Sequence, residues 1–244
     1  MNASRTLLVI GAGPGLGLAV ARRFGKEGYA VGLVSRSAER HPGYLDELRA
    51  AGVQAVAVTA DVRRDGELAR AVAEVEDQLG PVDVVYHGPG ASDPSVATAG
   101  IIDTTVSGVR DAHAQIVEPA VELAGTVLPA MRARGRGAIV YVAGLSAVVP
   151  LPFLGAFAPA SAALRTYGLT LSEALAEEGV QVGVLVVGGL IVGGDIHEIV
   201  MRSGVPEGVK TLDPDDLANA VWRLAHDERE IVVSAIGPLA GTSA

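Results

Sequence analysis

With 244 residues, 49% of them hydrophobic and none of them cysteine, the chain can bury a large core. It excludes a disulfide framework, a cysteine-based metal site and a thiol nucleophile. Its formal net charge of −9 argues against nucleic acid or an anionic membrane surface as a partner.

The first residues, Met1-Asn2-Ala3-Ser4-Arg5, lack the basic and apolar regions of a secretory signal, so a cytoplasmic location is expected. The pattern predicts a strand over about Thr6 to Ile10, a turn rich in glycine, and a helix from about Gly15 to Glu27 that stops at Gly28. Ala30 to Val34 reads as a second strand ending at Ser35-Arg36. A helix around Tyr44 to Ala51 stops at Gly52, and Val53 to Val58 forms a third strand. Asp65 to Leu79 reads as a helix capped by Asp65, and Val82 to Tyr86 as the fourth strand, running into His87-Gly88-Pro89-Gly90. His113 to Arg134 is helical in pattern, with Pro119 forcing a kink or a fresh start there.

The stretch from Gly137 to Leu164 contains no Asp, Glu, Lys or Arg. Its prolines at 150, 152 and 159 rule out a single spanning helix. It holds strand five (Ala138 to Val142) and the start of a helix over Gly155 to Glu178. Val180 to Val187 is strand six, about 188–211 reads as an irregular glycine-rich lid, Asp213-Pro214 opens a last helix, and Ile231 to Ser234 is the last strand. Strand and helix alternate along residues 1–244 with no break in composition. One α/β domain with a doubly wound parallel sheet, layered α/β/α, is therefore expected.

The turn after strand one, Gly11-Ala12-Gly13-Pro14-Gly15-Leu16-Gly17, has Gly-x-Gly-x-x-Gly spacing in a βαβ unit. Such glycines let a pyrophosphate lie against bare backbone at the start of a helix. This motif resembles that of the short-chain dehydrogenase/reductase family, and the likeness runs over nearly the whole chain. Asp61-Val62 resembles the family's adenine-contacting pair. His87-Gly88-Pro89-Gly90 falls where the family has Asn-Asn-Ala-Gly, and Val187-Gly188-Gly189 takes the place of its Pro-Gly turn. The resemblance implies a dinucleotide held by Gly11, Gly13, Gly15, Leu16, Gly17, Asp61, Val62, Gly88, Gly90 and Gly188. At the end of strand two an acid would select NAD. Ser35-Arg36 stands there instead, and a guanidinium beside a hydroxyl favours the 2′-phosphate of NADP(H). The family also implies a homodimer or homotetramer built on the helices at about His113–Arg134 and Gly155–Glu178.

In relatives a tyrosine protonates the alkoxide, a lysine lowers its pKa, a serine holds the substrate oxygen and an asparagine holds a water. Aligned on Ala162-Ala163-Leu164, the tyrosine position is Phe157 and the lysine position Ser161. The serine position is then Gly144, and the asparagine falls near Ile116. A lid threonine that holds the nicotinamide carboxamide becomes Val192. No member of the tetrad is expected to survive, and removing a general acid alone costs about 10²–10⁴ in rate.

Other groups could act near this site. They are Ser146 past the serine position, His87 at the end of strand four, and the lid cluster Asp195, His197 and Glu198; Ser161 could still hydrogen-bond a ribose hydroxyl. Tyr141 reads as core and His113 as surface. No set has metal-ligand spacing. From these residues a non-redox enzyme is expected, cyclising, isomerising or eliminating on an apolar small molecule in a pocket of Leu145, Leu151, Phe153 and Phe157. Two alternatives stay open: an NADPH-dependent carbonyl oxidoreductase with a relocated proton donor, and a non-catalytic cofactor-binding subunit.

Overall fold

Runs of aliphatic and β-branched residues, each bounded by glycine, proline or polar turns, become the strands of the computed structural model, which describes residues 5–88, 99–203 and 210–234. In chain order the strands are β1 (Thr6–Ile10), β2 (Ala30–Ser35), β3 (Ala55–Thr59), β4 (Val82–His87) and β5 (Gly137–Gly144), followed by β6 (Val180–Gly188), β7 (Leu190–Ile191), β8 (Thr211–Leu212) and β9 (Glu230–Ser234). The helices are α1 (Leu16–Gly25), α2 (His41–Ala50), α3 (Glu67–Leu79), α4 (Val106–Ile116), α5 (Glu118–Arg134), α6 (Phe157–Ala174), α7 (Asp195–Ser203) and α8 (Pro214–Leu224). Seven strands form one sheet in the order β3-β2-β1-β4-β5-β6-β9, and β7 pairs with β8 apart from it. Every pairing is parallel.

Side chains alternate across the sheet, so each strand feeds two cores. Leu8 and Ile10 of β1 join Leu68, Leu123, Leu164 and Val184 in the layer under α3, α5 and α6. Leu7 and Val9 join Phe24, Leu48, Val140 and Leu217 in the layer under α1, α2 and α8. Burial on both faces accounts for the high mean hydropathy of +0.37. A wholly buried leucine such as Leu7 or Leu8 contributes about 1.5–3 kcal/mol relative to an exposed one. No described helix is long and apolar enough to cross a membrane.

Parallel pairing places the carboxyl ends of the strands on one edge. Ile10 lies beside Val34 on one side and His87 on the other, and Ser35 lies beside Thr59. Gly144 lies beside Val187, and Gly188 beside Ser234. The loops that follow these strands carry nearly all the candidate residues, and the sheet gathers them along that edge.

Several boundaries differ from the sequence reading. The helix expected over His113–Arg134 is two helices, because Pro119 cannot donate in a continuing helix and sits instead in the first turn of α5. Asp65 does not cap α3. Gly66 takes the N-cap position with φ of 76°, a left-handed conformation that glycine adopts without strain. α2 begins at His41 rather than Tyr44, with a proline in its first turn. The lid is not wholly irregular, since it contains β7, α7 and β8. Asp213 does cap α8, accepting a hydrogen bond from the Asp215 amide at 2.8 Å.

Candidate functional site

The glycine loop is held to the sheet by the amides of Gly11 and Ala12, both donating to the Val34 carbonyl at 3.0 Å. Gly11 has φ of 90°, which turns the chain back over β1. Gly17 has no room for a side chain: a Cβ there would stand 2.6 Å from the Gly11 carbonyl oxygen. Gly13 is different, since a Cβ would meet only that oxygen, at 4.0 Å, so its face is open to a phosphate. α1 starts at Leu16, and the first amides of a helix have no acceptor within it. The loop therefore fits a pyrophosphate. Gly15 is covered rather than open, because a Cβ would lie 3.1 Å from the Gly194 Cα. The lid packs on the glycine loop at that point.

Where the adenosine is expected, Arg36 is exposed and pairs with no carboxylate among the described residues, whereas Ser35 is engaged. Its hydroxyl donates to the Ser37 carbonyl at 2.9 Å, so it accepts from Nε2–H of His41 at 2.7 Å. Burial lowers the pKa of His41. Asp61 holds Arg63 through two contacts of 2.8 Å, and its amide donates to Glu67 Oε2. The hydrogen bonds from Arg63, with the charge of Arg36 adding to them, pull the Asp61 carboxyl down to about 2. Val62 is buried in the core. Gly88 donates to the Ile10 carbonyl at 3.0 Å, and a Cβ on it would collide with the Tyr86 hydroxyl. Gly188 is walled by Leu145 and Ser234. Gly90 lies outside the described residues. His41 and Arg63 were not anticipated; the only sequence signal for either was proximity to Ser35 and Asp61.

Three of the four positions that the sequence reading aligned with the tetrad, Ile116, Gly144 and Ser161, line one small cavity. It has room for about one water and is lined by His87, Gln115, Ile116, Gly144, Ser161 and Leu164, among others. A Cβ built on Gly144 would lie 3.7 Å from Ser146 Oγ and 3.7 Å from Ser161 Oγ. Both hydroxyls thus converge on the spot where a serine side chain at 144 would begin. The Ser146 hydroxyl is buried without a hydrogen-bond partner among the described residues.

His87 is 1% exposed, and neither ring nitrogen has a partner among the described residues. Its ring packs edge-to-face on Tyr141 at 5.7 Å between centroids, and Tyr141 itself donates to the Ala120 carbonyl. Burial pushes the His87 pKa down to about 4, opposed by its own backbone. Each unsatisfied buried polar atom costs about 1–3 kcal/mol. A core imidazole with two of them is expensive unless a bound group completes it.

The other candidates stand apart. Phe157 packs on the core at the start of α6. His197 lies on α7, its Nδ1 buried and 3.6 Å from Glu198 Oε1, beyond hydrogen-bonding reach. Asp195 pairs with Arg40 at 2.9 Å, joining the lid helix to α2. The apolar pocket expected from Leu145, Leu151, Phe153 and Phe157 is not formed: Phe153 is 64% exposed, while Leu145 and Leu151 are buried in the core. Among the described residues no cluster of His, Asp and Glu could hold a metal.

The profile of the short chain dehydrogenase family matches residues 5–194. The chain belongs to that family. Ketoacyl reductase HetN of Nostoc sp. (strain PCC 7120) is 27% identical over 231 residues, covering 94% of this chain and 78% of that protein. The 2,5-dichloro-2,5-cyclohexadiene-1,4-diol dehydrogenase LinX of Sphingobium indicum is 26% identical over 245 residues, covering 98% and 96%. A variant of actinorhodin polyketide ketoreductase, solved with NADPH, superposes with a TM-score of 0.82 at 25% identity, over 95% of this chain and 96% of that one. These short-chain dehydrogenase relatives are named as reductases and dehydrogenases, which corrects the expectation of a non-redox enzyme. The redox alternative is the one they support.

Proposed function

We propose that the protein is an NADP(H)-dependent carbonyl reductase whose proton donor has moved from the tyrosine position, now Phe157, to the hydroxyls of Ser146 and Ser161. The observation that carries this reading is the convergence of both hydroxyls, 3.7 Å each, on the Cβ point of Gly144. In this reading none of the four tetrad side chains is present: Ile116, Gly144, Phe157 and Ser161 occupy their places.

When bound, the nicotinamide supplies a hydride to the carbonyl carbon. The chain's own residues do the rest. Gly11, Gly13, Gly15, Leu16 and Gly17 seat the pyrophosphate, and Asp61, Val62, Gly88 and Gly188 line the groove on either side. Arg36 faces the 2′-phosphate, with Ser35 held beside it by His41. The kinship with NADPH-binding ketoreductases supports the choice of NADP(H). A hydroxyl of Ser146 or Ser161 stabilises the oxygen as charge develops there and passes it a proton. Serine is a weaker acid than a lysine-assisted tyrosine, so proton transfer accompanies or follows hydride transfer rather than preceding it, and turnover is slow.

A homodimer or homotetramer and a cytoplasmic location belong to the same reading; sedimentation analysis of the purified chain tests the first. The function is tested by NADPH oxidation with a panel of ketones and ketoacyl thioesters. Consumption matched by alcohol formation is expected, falling about 10²–10⁴-fold in the Ser146→Ala/Ser161→Ala double variant. Unchanged turnover in that variant would overturn the assignment of the donor.

A further inference from the structure

We propose that the cavity beneath Gly144 is a built water site, and that His87 is the positioning residue that holds in it the water which restores the proton of the donating serine. The inference rests on the reductase reading above and extends it.

Four segments far apart in sequence meet at this cavity: the end of β4 with His87, α4 with Gln115, the end of β5 with Gly144, and the start of α6 with Ser161. Its polar lining is an imidazole, a carboxamide and a hydroxyl, and a buried water needs two to four such partners. Its volume suits one. Among the described residues neither His87 nitrogen has a hydrogen-bond partner, although the ring is almost wholly buried. A strand residue packed against Tyr141 could be any apolar side chain of similar size, so the ring's nitrogens are unexplained by packing. Among the described residues no carboxylate, lysine or arginine lines the cavity, so none of them gives the imidazole a counter-ion. With its pKa near 4 it is neutral at ordinary pH, and a neutral ring offers one donor and one acceptor to a water.

The proton balance is closed. Reduction of a carbonyl takes up one hydride and one proton. The hydride forms the new C–H bond, the C=O π pair moves to oxygen, and that oxygen takes the hydroxyl proton of Ser161, the serine that lines the cavity. The serine oxygen then recovers a proton from the cavity water, which is replenished from solvent. His87 neither gains nor loses a net proton; it fixes the water against Ser161.

Two variants separate this from a packing role. His87→Phe keeps the ring volume and the contact with Tyr141 but has no nitrogen; His87→Gln keeps a donor and an acceptor. The expected result is a kcat reduced about 10–100-fold in His87→Phe, with KM for NADPH unchanged, a larger solvent deuterium isotope effect, and substantial recovery in His87→Gln. Equal kcat and isotope effect in the wild type and His87→Phe would overturn the proposal. A crystal structure of the NADP⁺ complex at high resolution gives a readout that does not depend on turnover. A water within about 3 Å of a His87 ring nitrogen and Ser161 Oγ is expected, and a dry cavity overturns the site. If the wild type oxidises no NADPH with any carbonyl compound, the reductase reading fails, and the water site is still decided by that crystal structure.

Discussion

Replacing His87 with phenylalanine should make the fold more tolerant of mild acid. The ring is 1% exposed, and its pKa falls from an ordinary 6.5 to about 4. The unfolded chain therefore binds a proton as pH falls through 6.5, while the folded chain does so only near 4. Stability from this group is complete above about pH 6.5 and is lost between 6.5 and 4 as the unfolded state takes up its proton. The whole gap corresponds to about 3 kcal/mol, of which about 2 kcal/mol is gone by pH 5. Phenylalanine cannot titrate, and it keeps the contact with Tyr141. Urea denaturation of both proteins at a series of pH values from 7.5 to 4.5 reads the difference. The wild type should lose about 2 kcal/mol more than His87→Phe between pH 7.5 and pH 5. Parallel stability curves would show that the imidazole is solvated in the folded state and would refute the burial argument.

Other consequences are independent of that one. Gly13→Ala should fold with unchanged thermal stability, because its Cβ has space, yet lose the stabilisation that saturating NADPH confers; Gly17→Ala should unfold at lower temperature even without cofactor, since its Cβ stands 2.6 Å from a backbone oxygen. Thermal melts with and without NADPH distinguish the two. Arg36→Ala should weaken NADPH about 10–100-fold, as expected for a lost charge-assisted contact, and NADH little, in a fluorescence titration. Equal weakening would move the 2′-phosphate elsewhere. Arg40→Ala breaks an exposed pair with Asp195 and should change stability by no more than about 1 kcal/mol, while stopped-flow binding shows faster NADPH entry and release.

Much of the fold was legible because parallel strands leave a simple trace: β1, β5 and β6 are apolar runs ending in glycine at the carboxyl edge. The break between α4 and α5 was signalled by Pro119, although the sequence did not choose between a kink and a new helix. α7 was hidden by Gly188, Gly189, Gly193 and Gly194, which read as punctuation and drew attention away from the amphipathic segment after them. Gly66 displaced Asp65 as the start of α3 because a left-handed turn is needed there, and no local pattern announces it. The cofactor loop was visible as a motif, but the covering of Gly15 by Gly194 depends on a contact across nearly the whole chain. The cavity is the extreme case. His87, Gln115, Gly144 and Ser161 meet only because β4 and β5 are neighbours and α4 and α6 cover their ends. Ser146 and His87 could be named from the sequence as candidates, but not paired with each other or with Gln115.

The central claim is that hydride transfer persists here on serine donors. Anaerobic single-turnover mixing of the NADPH-loaded protein with a ketoacyl thioester, followed at the nicotinamide absorbance band, tests it most directly. The account predicts one equivalent of NADPH oxidised per alcohol formed, with the rate collapsing in Ser146→Ala/Ser161→Ala while NADPH affinity holds. Oxidation at an undiminished rate in that double variant, or none in the wild type with any carbonyl compound, would contradict it.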